Sequence, residues 1–201
     1  AEHDFADFVS HYFSYDNRQA FELNIPQLQA SQTIYEETFG TKYSLSRVHV
    51  DISSRCNERC VHCYIPEKNK CTIMSEKVFD RILSQCRSMN VLNITISGGE
   101  PLLNPNLKRF LLECIQYNFS VNLLSNLTLL SEDLIDLIAS NPLISIQTSL
   151  YSMDESVHDS ITRKNGSFKQ TLHSIEQLHA RNIPIQINCP VMKQNKSNYK
   201  G

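Results

Sequence analysis

The stretch "RVHVDISSRCNERCVHCY", Arg47 to Tyr64, joins two patterns. Val48, Val50 and Ile52 alternate with polar residues, the period of a half-buried strand. Straight after it come Cys56, Cys60 and Cys63, three thiols within eight residues. If the strand opens an α/β fold, the thiols occupy its first βα loop. That is the carboxyl end of the strand, where the sites of such folds lie.

Beyond this loop the alternation continues. Ser75 is a helix cap ahead of Val78, Phe79, Ile82, Leu83 and Cys86, which share one helical face. Val91–Ser97 reads as a strand, and Leu107, Phe110, Leu111, Cys114 and Ile115 mark the next helix. Strand Ser120–Leu124 is followed by a helix from the Ser131 cap through Ile138. Strand Leu143–Leu150, a helix from about Phe168 to Ala180 and strand Ile183–Cys189 complete the series. Five strands separated by four helices imply right-handed βαβ crossovers and a parallel sheet, an α/β fold. This unit is assigned to residues 46–201. The chain ends in "KSNYKG" just past the fifth strand, and a continuation is expected.

Residues 1–45 have another character and are assigned to an N-terminal helical extension. Phe5, Phe8, Val9, Tyr12 and Phe13 recur at helical spacing over roughly 3–15. A second short helix is expected through Ile34 and Tyr35 to Phe39, stopped by Gly40.

With 201 residues the chain can bury one sizeable core. A net charge of −2 without a run of Lys and Arg leaves no footprint for nucleic acid or an anionic membrane. No apolar run is long enough to span a bilayer, and the first residues do not read as a signal peptide. Seven cysteines in such a chain point to a reducing cytoplasm and a metal or cluster site rather than to disulfides.

Two chemistries suit the triplet. A structural zinc site wants four Cys or His ligands, usually as two separated pairs. His62 or Cys71 is then the fourth ligand. A four-iron cluster is also held by thiolates, and three of them leave one iron open. An open position marks a reactive site and could orient a small molecule that then receives an electron.

The later strand ends carry polar groups. "ISGGEP" closes the second strand. Gly98 and Gly99 remove side chains where a ligand must approach backbone, and the Glu100 carboxylate suits a positive amino group. Alone, that segment reads as a tight turn. "LLSNLT" closes the third strand, and Ser125 and Asn126 offer hydroxyl and amide groups for ribose or carboxylate. In the fourth strand Ser145, Gln147 and Ser149 share one face, which fits the inside of an open barrel holding a polar cofactor. Cys189 sits at the rim of the fifth strand, either as a small buried hydrophobe or as a candidate for metal or substrate chemistry. Cys86 and Cys114 fall on apolar helix faces and belong to the core.

C-x3-C-x2-C after a first strand, with Tyr64 beside the last Cys, resembles the radical S-adenosylmethionine (radical SAM) superfamily. The resemblance covers about Arg47 to Met192, roughly three quarters of the chain. It implies a partial (β/α) barrel, with six strands as the family norm. It implies a 4Fe-4S cluster on Cys56, Cys60 and Cys63, whose open iron chelates the amino and carboxylate groups of S-adenosylmethionine. Reductive cleavage then yields a 5′-deoxyadenosyl radical that abstracts hydrogen from a substrate. By the same resemblance Gly98, Gly99 and Glu100 bind the methionine amino group. His62 and Val191 lie near the adenine, and Tyr64 packs beneath the cluster loop. The family often has Gly after the Asn126 position, where this chain has Leu127.

"HDSITRKNGSF", His158 to Phe168, and "INCPVM" resemble the family's peptide-modifying branch. Many members carry a carboxylate-binding Arg at the position of Thr162; here Arg163 follows one residue later and takes that assignment. The branch implies a ribosomally made, leader-bearing peptide substrate and an electron donor such as flavodoxin or ferredoxin. Its reactions are thioether or carbon–carbon crosslinks and epimerisation. It also implies a further C-terminal (SPASM) domain with auxiliary clusters. The rival readings are a zinc-binding interaction module, a simple iron–sulfur electron carrier, and a radical SAM enzyme acting on a small molecule or protein.

Overall fold

The computed structural model describes residues 45–197. The helical extension expected over residues 1–45 lies, but for Leu45, outside the described residues. The elements run β1 (Arg47–Ser53), α1 (Glu76–Ser88), β2 (Asn93–Gly98), α2 (Leu107–Gln116), β3 (Ser120–Leu124), α3 (Glu132–Ala139), β4 (Ile144–Ser149), α4 (Glu155–Thr162), α5 (Ser167–Ala180) and β5 (Ile185–Asn188). The strands form one sheet in the order β1-β2-β3-β4-β5, every neighbouring pair parallel. The order never reverses. Right-handed crossovers taken always in one direction put the helices on one face, the winding of a barrel rather than of a doubly wound sheet.

The faces of the sheet divide as the alternation requires. Ile94, Ile96, Val121, Leu123, Ile144 and Ile146 are buried in one core with Phe79, Leu83, Phe110, Leu111 and Ile135 from the helices. Phe79 and Phe110 stack with centroids 3.9 Å apart and join α1 to α2. Cys86 and Cys114 are buried in the same core. The opposite face is polar. Asn122 donates to the Gln147 side chain (3.3 Å), and Ser145 donates to Asn122 Oδ1 (3.3 Å).

Three helices stop by one device. Asn90, Asn118 and Asn182 each adopt positive φ (55°, 59° and 55°) just past the ends of α1, α2 and α5. The next N–H bonds back to a carbonyl near the end of the helix: Val91 to Cys86, Phe119 to Cys114, Ile183 to Leu178, at 2.9–3.0 Å. This is the Schellman motif with Asn in the left-handed place, and both residues of each bonded pair are buried. It corrects two expected strand starts. Val91 and Ile183 belong to helix stops, so β2 begins at Asn93 and β5 at Ile185.

One helix was not expected. Residues Glu155–Thr162 form α4, capped by Asp154, whose Oδ1 accepts from the Ser156 and Val157 N–H groups. Among the described residues, no helix is long and apolar enough to cross a membrane.

Candidate functional site

The loop after β1 is folded back on itself. The Ser54 N–H donates to the Thr72 carbonyl (2.9 Å), and the Thr72 N–H returns to Ser54 Oγ (2.9 Å). Buried Asn104 donates to the carbonyls of Ile52 (2.9 Å) and Met74 (3.2 Å), tying both ends of the loop. Its middle hangs on α4. The Arg59 and Val61 N–H groups donate to the carbonyls of Thr162 (3.0 Å) and Ile161 (2.9 Å). The last carbonyls of a helix lack partners within it, so the end of α4 is a ready dock for this loop.

Held this way, Cys56, Cys60 and Cys63 line one cleft of ≈ 210 Å³ at the carboxyl ends of the strands. His62, Gly98 and Gly99 line it too, as do Ser125 and Asn126 after β3 and Gln147 and Ser149 of β4. Ten side chains or glycines singled out along the chain thus meet in one place.

Four other candidates do not. Glu100 is fully buried and faces the chain's own donors. Its Oε1 accepts from the Leu102 N–H (2.9 Å) and the Ser125 hydroxyl (2.7 Å), and its Oε2 from the Asn126 N–H (2.8 Å). Its carboxylate therefore orients the Ser125–Asn126 turn instead of presenting itself to a ligand. Arg163 ends α4 in the left-handed conformation (φ 53°) and is exposed on a surface beside Asp159 and Ser160, while its neighbour Thr162 lines the cleft. Val191 is 57% exposed and lies off the cleft. Cys189 also stays outside; its thiol points to the Tyr151 carbonyl (3.5 Å), against which buried Asn195 also donates (2.8 Å).

The glycine pair has a sharper reason than ligand access. A Cβ on Gly98 would lie 2.0 Å from the Ser53 carbonyl oxygen, and one on Gly99 2.4 Å from that of Arg55. What approaches here is the chain's own backbone leaving β1. The Gly99 N–H donates to Ser53 (2.6 Å) and the Glu100 N–H to Arg55 (2.7 Å). Leu127 is also informative. It holds positive φ (61°) yet is wholly buried, so a glycine-like backbone carries a core side chain.

Tyr64 is 73% exposed at the cleft, its hydroxyl donating to Asp51 (3.3 Å), and does not pack beneath the loop. Beneath the loop lie groups the sequence reading missed. Glu58, between the first two thiols, is buried; it accepts from the Ser167 hydroxyl and faces the Cys60 thiol (3.6 Å). Ser167 also meets His158 Nε2 (3.4 Å), whose Nδ1 accepts from the Tyr151 N–H (3.3 Å). The Tyr151 hydroxyl meets His62 Nε2 (3.2 Å). One signal was available: an acidic residue between metal-binding thiols conflicts locally with their charge unless something else holds it.

Burial dominates the electrostatics. It pushes the Cys56 thiol up to about 11, with further upward push from Glu100 and Glu58 against the Glu58 N–H and Lys70. Burial and then Glu58 push Cys60 up to about 12. The Glu58 carboxyl is raised by burial, with Ser167 and Cys60 pulling it back. Burial raises Glu100 to about 7 against its three donors. His62 and His158 are both lowered by burial. Thiols in this state keep their protons until a cation replaces them. Among the described residues no three Cys, His, Asp or Glu side chains come together to hold a single metal ion. The three sulfur donors that line the cleft suit an iron–sulfur cluster by softness.

A singly wound parallel α/β sheet with three thiols over a polar cleft at its carboxyl edge defines a soft-metal or cluster protein of the barrel class. Residues 50–200 match the radical SAM superfamily, and the chain belongs to it. Members of this family use a 4Fe-4S cluster and S-adenosylmethionine. The antilisterial bacteriocin subtilosin biosynthesis protein AlbA of Bacillus subtilis (strain 168) is 29% identical over 147 residues, covering 72% of this chain and 33% of that protein. GTP 3′,8-cyclase of Clostridium botulinum (strain Okra / Type B1) is 28% identical over 155 residues, covering 74% of this chain and 48% of the enzyme. The chain thus spans a third to about half of the length of these curated relatives. Streptococcus suis SuiB, solved bound to S-adenosylmethionine, shares the fold with a TM-score of 0.67 at 17% identity, over 81% of this chain and 38% of SuiB. SuiB has also been solved bound to its precursor peptide SuiA, with the same TM-score of 0.67 at 18% identity, over 94% of this chain and 43% of SuiB.

Proposed function

We propose that this chain carries the cluster- and S-adenosylmethionine-binding core of an enzyme that modifies a ribosomally made peptide. The observation that carries the reading is the convergence of Cys56, Cys60 and Cys63 with the β2, β3 and β4 ends on one cleft. Those three thiols would hold the cluster. When bound, cluster and S-adenosylmethionine supply a 5′-deoxyadenosyl radical for hydrogen abstraction.

The remaining work falls to the chain's own groups. The backbone at Gly98 and Gly99, open on the cleft side, offers main-chain groups to the methionine amino group. Glu100 holds Ser125 and the Asn126 N–H, and through them the β3 wall of the cleft. Asn126 in turn donates to Asn57 (2.9 Å), locking that wall to the thiol loop. Gln147 and Ser149 supply an amide and a hydroxyl to a ribose. His62, steadied by Tyr151, offers a ring edge to the adenine.

Similarity to AlbA supports a peptide substrate, and similarity to GTP 3′,8-cyclase supports a nucleotide. Among the described residues no Lys or Arg lines the cleft, so it offers a triphosphate no cationic partner, which favours the peptide. The test is release of 5′-deoxyadenosine from S-adenosylmethionine under dithionite. A leader-bearing precursor peptide should stimulate release; stimulation by GTP and not by peptides would overturn the substrate assignment.

A further inference from the structure

Lys70 is an unusual lysine. Only 7% of its side chain is exposed, although lysine is almost never buried without a partner. It sits at the end of a 3-10 turn, Glu67–Asn69, on the far limb of the thiol loop. Its Nζ reaches back across the loop to the Glu58 carbonyl (3.4 Å), which lies between Cys56 and Cys60. The counter-charge is Glu67, at 3.3 Å. That carboxylate is 61% exposed, and Arg59 shares it at 3.3 Å. Water and Arg59 therefore screen Glu67, whereas the Lys70 ammonium faces inward.

Glu58, which Lys70 holds by its carbonyl, is itself in contact with two of the three thiols. Its N–H donates to Cys56 Sγ (3.4 Å), and its carboxylate faces the Cys60 thiol (3.6 Å). The Lys70 ammonium therefore stands one residue away from the thiol cleft, on the side where Glu58 adds negative charge.

We infer that Lys70 is a positioning residue of the thiol loop whose fixed positive charge makes a cluster bound by Cys56, Cys60 and Cys63 easier to reduce. The inference rests on the cluster reading above. Reduction adds one electron from an external one-electron donor such as dithionite and breaks no bond. A nearby cation stabilises the more negative product, so it raises the potential.

The test is an EPR-monitored redox titration of the anaerobically reconstituted full chain and its variants. Lys70→Gln keeps a donor for the Glu58 carbonyl and removes the charge. It should load iron and be at least tenfold harder to reduce, a fall of about 59 mV for one electron. Lys70→Arg should keep the wild-type potential. An unchanged potential in loaded Lys70→Gln overturns the inference and leaves the cluster reading standing. A wild-type chain that takes up no iron and sulfide overturns both. If Lys70→Gln fails to load, Lys70→Met, which also removes the charge, is titrated in its place. If both stay empty while Lys70→Arg loads, the charge serves loading rather than the potential, and the inference is overturned.

Discussion

Gly98→Ala perturbs the joint between sheet and cleft, and its cost can be worked out. The added methyl would stand 2.0 Å from the Ser53 carbonyl oxygen, 3.0 Å from its carbon and 3.1 Å from its nitrogen. All three are backbone atoms, and they belong to the last residue of β1. Bringing methyl and oxygen to van der Waals contact needs a shift on the order of 1 Å in paired strands. Overpacking of this kind costs about 1–3 kcal/mol. Gly98 also holds φ 140°, which L side chains rarely adopt, adding about 1–3 kcal/mol. The expected loss is about 2–6 kcal/mol, a large share of a typical domain's stability. Gly166→Ala is the control. It also has positive φ (78°), but its Cβ would meet nothing within 4 Å, so only the backbone cost applies. Urea unfolding of wild type and both variants should rank Gly98→Ala well below Gly166→Ala. Equal losses would refute the claim that close approach of β1 explains the glycine.

Four further outcomes are expected. Cys60→Ala should lose bound iron and all cleavage of S-adenosylmethionine, measured as 5′-deoxyadenosine, while Cys114→Ala should keep both. Cys114 also gives a pH signature. Burial, then Glu113 and Cys86, push its thiol from 9.0 to about 12, so the folded chain keeps a proton that the unfolded chain loses. That contribution is present below pH 9.0 and is lost as pH rises toward the folded value. Between pH 8 and 10 the wild type should lose about 1.4 kcal/mol relative to Cys114→Ala in urea unfolding. Glu100→Gln should cost about 1–3 kcal/mol, because an amide has one acceptor oxygen for a site with three donors. Asn118→Gly should leave stability near wild type while Asn118→Ala costs about 1–2 kcal/mol, since only the left-handed conformation closes α2.

Much of the sheet was legible because each strand carries its own period and each helix its own face. Ile94 and Ile96, or Val121 and Leu123, report burial without knowledge of their partners. The errors sit where a local pattern served another element. Val91 and Ile183 look like strand residues because they are apolar, but they are the hydrophobic halves of helix stops signalled by Asn90 and Asn182. No helix was expected over α4, since its role is to present carbonyls to the thiol loop rather than to cover the sheet.

In the candidate site, residues at strand ends share one cleft because topology brings every such end to one edge. Glu100 illustrates what spacing cannot give. A carboxylate beside two glycines looks free for a ligand until the donors of Leu102, Ser125 and Asn126 are seen to fill it. Glu58, Lys70, His158 and Ser167 come from distant parts of the chain and become neighbours only through the fold. Arg163 shows the reverse. It follows Thr162 directly, but the left-handed turn that ends α4 leaves it exposed while Thr162 lines the cleft.

The most direct test of the central claim is the metal and sulfide content of the wild-type chain after anaerobic reconstitution, followed by the EPR spectrum of the reduced protein with and without S-adenosylmethionine. The account requires about four irons and four sulfides per chain, and a spectrum that changes when S-adenosylmethionine is added. Zinc without iron or sulfide, or a cluster spectrum indifferent to S-adenosylmethionine, would contradict it.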